Sequence, residues 1–354
     1  MAAREPRRAE RGPAVAGVEV AAGAVRALAA RREDGRLRVL GAASAPLAAG
    51  AVTGGLVVDR QAVGSAIGAA LGTAEGRERA TRVLLALDGD DVRTYHVATA
   101  FERRSAEEPI QGAEVQRATR EARDQAATLA QASAADDPAL RGIATVQLEI
   151  ETAGFLLDGR PLDRLDGFHG RAVVVHTDVA VAPLLHSGAV TGALEIAKRR
   201  AGTTSGAYAL GRLLAESGFS DGGVLRLGAD VTAYAIVRDG RVVATRVFGL
   251  GRDALLRRRP TMDTDATVWA RCVLASNEAV EGQYPARWYF VGVPDELIAL
   301  PRALGEALAE QRGGTVDIAP LRSSSASRVV TDGQLHADHL VAAGAAALAA
   351  ELYR

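Results

Sequence analysis

The chain has very little of several things, and each shortage removes a class of protein. Cysteine occurs once, as Cys272, which excludes an internal disulfide and any paired-cysteine zinc or redox centre. A reducing, cytoplasmic compartment is the expectation. Lysine also occurs once, as Lys198, and the 42 basic residues nearly cancel the 43 acidic ones. With so little net charge, neither nucleic acid nor a membrane surface would be held by the overall field. The arginine, alanine and glycine excess reads as the mark of a GC-rich genome. No run reaches the roughly 18 uncharged apolar residues of a membrane span. The nearest, "LVAAGAAALAA", is short and mostly alanine, and reads as a closely packed terminal helix. The first 13 residues, MAAREPRRAERGP, are polar and basic without an apolar core, so a disordered tail is expected rather than a secretory signal.

What is present is enough for a real core: 354 residues, 48% of them hydrophobic and 24% charged, which suits two or three domains. The most informative feature is an internal echo. "AVAGVEVAAGAVRALAARREDGRLRVLGAAS", Ala14 to Ser44, reads as strand, small-residue turn, strand, Asp-Gly turn, strand. "GGVLRLGADVTAYAIVRDGRVVATRVFGLG", Gly222 to Gly251, repeats that order. Asp34-Gly35 and Asp239-Gly240 are strong hairpin signals, because both turn residues accept positive φ. Two such units predict two related α/β halves with a ligand cleft between their first turns.

Between the units, "DRQAVGSAIGAALG" has helical spacing and "RVLLALDG" is a continuous apolar run suited to a strand buried on both faces. Next come a strand, "VRTYHVATAF", and a helix with Val115, Ala118, Ala122, Ala126 and Leu129 on one face. Two more strands, "TVQLEIETAGFLLDG" and "RAVVVHTDVAVAP", complete a strand-helix-strand-strand unit inserted in the first half. Two helices, "SGAVTGALEIAKRRAG" and "GAYALGRLLAES", lead to the second hairpin unit. Beyond that unit the pattern predicts a loop from Arg252 to Ala266, a helix over "TVWARCVLASNEAV" and the strand "RWYFVGV". A helix opened by Pro301 and a last helix from about His336 follow.

These features together resemble the actin-like superfamily, and within it the bacterial cell-division protein family FtsA. The segment carrying most of the likeness is Val146 to Pro183, where Asp158-Gly159, Gly167 and Gly170 hold the places of that family's glycine turns. "GGLVVDRQAVGSAI", Gly54 to Ile67, is similar to the segment that leads into the family's first helix. The inserted unit occupies the position of the SHS2 domain of FtsA and of the pilus-assembly protein PilM, the second resemblance. The implied fold is α/β, an actin-like (ribonuclease H-like) pair of halves with an SHS2-type insert. The implied organisation is a tail at 1–13, a first half from 14–91, 183–217 and 336–354, an insert at 92–182, and a second half at 218–335. The outer subdomain of that second half is reduced to 252–266.

The resemblance also implies where nucleotide would bind, and there this sequence departs from it. In the first hairpin Glu19 stands for the family's aspartate, and Ala21 and Ala22 for its glycine and hydroxyl residue. Glu19 could still hold water on Mg²⁺; the competing reading is an exposed charge at a strand end. In the second hairpin Gly228 and Thr232 persist, but Arg226 replaces the acid and Asp230 enters the phosphate turn, a pair read as an internal ion pair filling the place. The adenosine turn keeps Gly292, followed by Val293 and Pro294, which obstruct a close approach to the base. No cofactor is therefore expected, ATP and Mg²⁺ entering only if this altered site still binds, and no ATP hydrolysis.

His336 and His339 could share a helix face toward a metal, but no third ligand is at hand and a solvated helix start suffices. His169, His176 and His186 lack a nucleophile pattern, "SSSAS" at Ser323 is a flexible loop rather than a nucleophile elbow, and "LLRRRP", Leu255 to Pro260, is a basic loop. The expected role is a scaffold in bacterial division or envelope assembly. The alternatives are a PilM-like part of a type IV pilus or secretion platform, and an actin-like ATPase with an unusual site. Protein partners are expected through the insert, with self-association open and no nucleic acid. The reduced 252–266 segment argues against docking of the tubulin-like protein FtsZ. Without a bulky amphipathic helix no intrinsic membrane anchor is expected, so partners would bring the chain to the inner face of the membrane.

Overall fold

A computed structural model describes residues 11–258, 262–276, 284–330 and 335–351. Strands β1 (Val15–Ala21), β2 (Ala24–Glu33) and β3 (Arg36–Pro46) form the antiparallel meander expected from the sequence. Its Asp34-Gly35 turn has both residues at positive φ, 50° and 77°, as a tight two-residue hairpin requires. A small hairpin, β4 (Val52–Thr53) and β5 (Leu56–Val57), precedes helix α1 (Arg60–Glu75). The Asp59 carboxylate caps α1 by accepting the Ala62 N–H at 2.9 Å. Strand β6 (Arg82–Leu87) then lies parallel to β1, placing Ala86 beside Glu19.

The insert is β7 (Arg93–Glu102), α2 (Gly112–Asp136), β8 (Thr145–Leu157), β9 (Arg160–Leu162) and β10 (Ala172–Pro183), with sheet order β7-β10-β8-β9. The chain re-enters the first half through α3 (Leu184–Ile196), β11 (Gly202–Ser205) and α4 (Gly206–Glu216). Strand β11 adds to β6, giving the order β11-β6-β1-β2-β3. The second half repeats this plan. Strands β12 (Gly222–Leu227), β13 (Thr232–Arg238) and β14 (Arg241–Phe248) form the meander, with Asp239 and Gly240 at positive φ. After α5 (Arg252–Arg257) and α6 (Met262–Ala275), strand β15 (Arg287–Val291) pairs parallel with β12. Helix α7 (Ala299–Arg312) and strand β16 (Asp317–Pro320) complete the order β14-β13-β12-β15-β16.

The halves share one core. Helix α8 (Leu340–Glu351) is buried from Leu340 to Ala350 and lies with α4 among residues of both sheets, including Val15, Leu84, Val224 and Val237. Its alanines allow this depth. The approach is so close that a Cβ on Gly17 would stand 1.9 Å from the Ala342 carbonyl, and one on Gly344 2.2 Å from that of Ala209. The outer layers are α1 and α3 on the first sheet and α6 and α7 on the second.

Four local expectations need correction. The Arg252–Ala266 segment is not a loop: it holds α5 and the start of α6, because Leu255 and Ala266 are both 1% exposed in the second-half core. Of the basic stretch there, Arg259 and Pro260 lie outside the described residues. Leu129 is 45% exposed; the stripe of α2 runs instead through Ala122, Ala126, Ala130 and Ala134, a strict four-residue spacing. Pro301 is the third residue of α7, not the first, still within the turn whose N–H groups need no helical partner. Strand β11 escaped detection because Gly-Thr-Thr-Ser has no apolar alternation.

The insert meets the body through polar groups. One face of its sheet packs on α2 through Ile150, Val179 and Val181. On the other face His96, Asp178 and Glu151 are cross-strand neighbours. Asp178 bonds His96 Nδ1 at 2.7 Å and accepts the Tyr208 hydroxyl of α4 at 2.7 Å. Glu151 is 5% exposed. Burial, with the charges of Glu351 and Glu149 adding and Arg212 and Arg82 opposing, pushes its carboxyl up to about 8. Folded chain thus keeps a proton on Glu151 that unfolded chain releases near 4.5. Between those values the native state binds more protons, so stability falls as pH rises through the window. Glu151→Gln removes this titration: its Tm relative to the parent should be higher at pH 8.5 than at pH 5. Calorimetric scans at the two pH values check this, and parallel shifts would refute it.

Candidate functional site

Strands β1 and β12 bring their charged residues together across the two halves. Glu19, 1% exposed, forms a close ion pair with Arg226 Nη2. The Nη1 of Arg226 lies 3.3 Å from Asp88 Oδ2, just past the end of β6. Arg26 adds a second guanidinium to Glu19 at 3.4 Å. Glu19, Asp88 and Arg226 are all less than one-tenth exposed. Glu19 is therefore not an exposed strand-end charge.

Each partner answers a specific desolvation cost. Burial raises the Asp88 carboxyl; Arg226 and the Ala207 N–H oppose, nearby Glu19 adds, and the net direction is up. Burial disfavours the charged guanidinium of Arg226, but Glu19 and Asp88 more than offset this and hold it charged. The other Asp88 oxygen accepts the Ala207 N–H at 2.8 Å, so the N-terminus of α4, where an anion would be welcome, already holds the chain's own carboxylate. The expected pairing of Arg226 with Asp230 is replaced by another arrangement. Asp230 reaches across the cleft and accepts the Gly54 N–H at 2.6 Å. Its charge joins the halves without touching the guanidinium.

The second turn is filled from behind. Gly228 donates to the Val231 carbonyl at 2.8 Å, and the carbonyls of Gly228 and Ala229 accept the N–H groups of Arg252 and Asp253 at the start of α5. Gly251 lies flush on this turn: a Cβ there would be 2.4 Å from the Asp230 carbonyl carbon. Thr232 is fully buried; its hydroxyl donates to the Leu250 carbonyl at 2.7 Å and accepts from Trp269 Nε1 at 3.0 Å. Gly292, at φ 77°, touches the end of β12, where a Cβ would stand 2.7 Å from the Leu227 carbonyl. Val293 packs on the second-half core. Ala21 and Ala22 close the first turn with Gly23 and offer no hydroxyl. A magnesium–nucleotide site needs free carboxylate oxygens and free turn amides. In this donor set both carboxylates rest on Arg226.

Sequence reasoning missed Asp88 and Gly54. The available signal was the Asp-Gly-Asp-Asp run that ends the buried β6 strand. His336 and His339 do not converge on a metal: His336 Nδ1 accepts the Asp338 N–H, and His339 Nε2 lies 3.3 Å from the Ser44 hydroxyl. No cluster suited to a metal ion occurs among the described residues.

A second feature lies where the insert joins the first half. Val58, Ile143, Leu184 and Leu185 are 61%, 48%, 56% and 76% exposed. With Val57, Ala144 and Ala189 they line an open groove of about 790 Å³ whose one charged wall residue is Arg60. Among the described residues no helix is long and apolar enough to cross a membrane.

Arg226→Met leaves Glu19 and Asp88 buried without their shared cation, and should cost about 3–5 kcal/mol. The triple change Glu19→Gln, Asp88→Asn, Arg226→Met should recover most of that loss. Urea unfolding measures both, and a single variant within about 1 kcal/mol of the parent would contradict the assignment.

No family model and no curated protein matches the sequence. Solved structures do match in fold. A PilM–PilN type IV pilus biogenesis complex contains a chain superposing with TM-score 0.56 at 19% identity, over 96% of this chain and 98% of that one. The ethanolamine utilization protein EutJ from Carboxydothermus hydrogenoformans superposes with TM-score 0.46 at 13% identity, over 95% of this chain and 90% of its own. The fold is actin-like, in two halves.

Proposed function

We propose that this protein is an actin-fold scaffold of an envelope-spanning pilus or secretion assembly, and that it does not turn over ATP. The observation that carries the second part is the position of Arg226 between Glu19 and Asp88. A guanidinium fixed there supplies the positive charge that a metal–nucleotide would bring, and it cannot be deprotonated away. Asp230 adds negative charge beside the turn and would repel phosphate oxygens. Val293 and Pro294 stand where a base would need open backbone.

The first part is supported by the apolar groove at the insert and by the fold shared with the PilM–PilN complex. A contiguous exposed apolar surface of this kind commonly marks a site for another apolar surface. Its occupant is an apolar segment of a protein partner, which would also hold this chain, otherwise cytoplasmic, at the inner face of the membrane. An FtsA-like role in division is the second reading, favoured by Val146 to Pro183.

Calorimetry with Mg-ATP and Mg-ADP should show no binding tighter than about millimolar, around −4 kcal/mol; a micromolar constant would overturn the nucleotide reading. For the partner, a photo-crosslinking amino acid at Leu185, introduced in the native cell, should give one dominant adduct with a pilus or secretion protein. The same probe at exposed Val268 on α6 should not. An adduct with division proteins would select the second reading, and no adduct at Leu185 would exclude the groove. Leu185→Glu should abolish the partner's co-purification without lowering Tm, since this side chain is already in solvent.

A further inference from the structure

A second cavity, of about 730 Å³, opens on the face where the insert, the first half and the second half meet. Its walls come from β8 of the insert, α4, the C-terminal end of α8 and the hairpin tips at Gly35 and Gly240. Four arginines reach it from four separate segments: Arg32 on β2, Arg123 on α2, Arg212 on α4, and Arg328 in the segment after β16. Arg212 forms part of the buried wall, 8% exposed; its Nη2 meets Glu216 at 3.3 Å and Glu351 at 3.1 Å, while its Nε has no hydrogen-bond partner. Arg32 lies near the same two carboxylates, at 3.7 and 3.9 Å. Among the described residues Arg123 and Arg328 take part in no ion pair.

We propose that this cavity binds a small polyvalent anion of the phosphoryl or polycarboxylate class, held between Arg123 of the insert and Arg328 of the second half with Arg212 behind it. Planar guanidinium forks match such oxygens two at a time. The volume lies within the range of small-ligand sites. Three parts of the fold contribute arginines, so a bound anion would tie the insert to both halves, and its effect would be felt as rigidity of that joint.

The acidic residues of the lining fit an anion below about pH 8. Burial, then the hydrogen bond and charge of Glu351, raise Glu216 to about 8 against Arg212 and Arg32. Glu151 reaches about 8 as well, mainly by burial, with Glu351 and Glu149 adding and Arg212 and Arg82 opposing. At neutral pH both are protonated, and the four guanidiniums share the cavity with Glu351 and with the exposed Asp163 at its rim. Above pH 8 two further negative charges appear, and an anion is disfavoured.

Isothermal titration of the full chain with pyrophosphate and with citrate tests this. At least one probe should bind at pH 7, and raising the pH to 9 should weaken it by about tenfold or more. Arg123→Gln/Arg328→Gln should weaken binding at pH 7 by about tenfold or more, since each lost charged hydrogen bond counts. Arg77→Gln/Arg200→Gln removes the same charge from exposed sites elsewhere and should leave affinity within about twofold. Circular dichroism and Tm of both variants confirm the fold. Absence of binding by either probe up to about 10 mM, or binding that survives loss of Arg123 and Arg328, would overturn the proposal. Equal weakening by the control pair would also overturn it, because it would reduce the effect to net charge.

Discussion

One constraint organises the centre of this molecule: a charge taken out of water must be met by its opposite. Arg226 belongs to the second half, Glu19 and Asp88 to the first, and all three are buried. Separating the halves would strand a guanidinium on one side and two carboxylates on the other, each at a cost of several kcal/mol. The triad therefore acts as a latch across the cleft. Asp230 and the Gly54 N–H form a second bridge beside it. In an actin-like architecture the cleft between the halves is where opening would take place; here its own side chains close it.

The alanine-rich α8 follows from the same closure. A helix can lie between two sheets only if its side chains are small enough for backbone to approach backbone, and Gly17 and Gly344 mark the nearest contacts. The resulting core is continuous from one sheet to the other. Close packing and buried ion pairing thus act on the same joint from different sides. The insert is attached by other means: its sheet presents His96, Asp178 and Glu151 on the face toward α4, and the Glu151 carboxyl there retains its proton near neutrality.

The two outer surfaces differ in chemistry. The groove around Leu184 and Leu185 is apolar with a single guanidinium, whereas eight ionisable side chains line the cavity around Arg212. Both border the insert, from different elements. An apolar segment and a small anion could therefore be bound together without sharing a wall residue.

The hairpin echo, the turns at Asp34-Gly35 and Asp239-Gly240, the small-residue positions Ala122 and Ala126 of α2 and the strand-helix-strand-strand succession after β6 were open to reading from the chain itself, whereas the exposed Leu129 and the short β9 were not. Each depends on residues only a few positions apart: two residues must accept positive φ, or every fourth must be small. The alteration of the cleft was also visible, since Arg226, Asp230, Val293 and Pro294 stand beside recognisable turns. What those residues do was not. Glu19 alone reads as a surface charge, and Arg226 alone as a partner for the nearby Asp230. Their true partners arrive through parallel pairing of β6 with β1 and through the packing of the two halves, which bring Asp88 and Gly54 from distant parts of the chain. Local pattern sets backbone conformation because turn and helix energies are local. The partner of a buried charge is decided by whichever opposite charge tertiary packing brings within reach once water has been excluded.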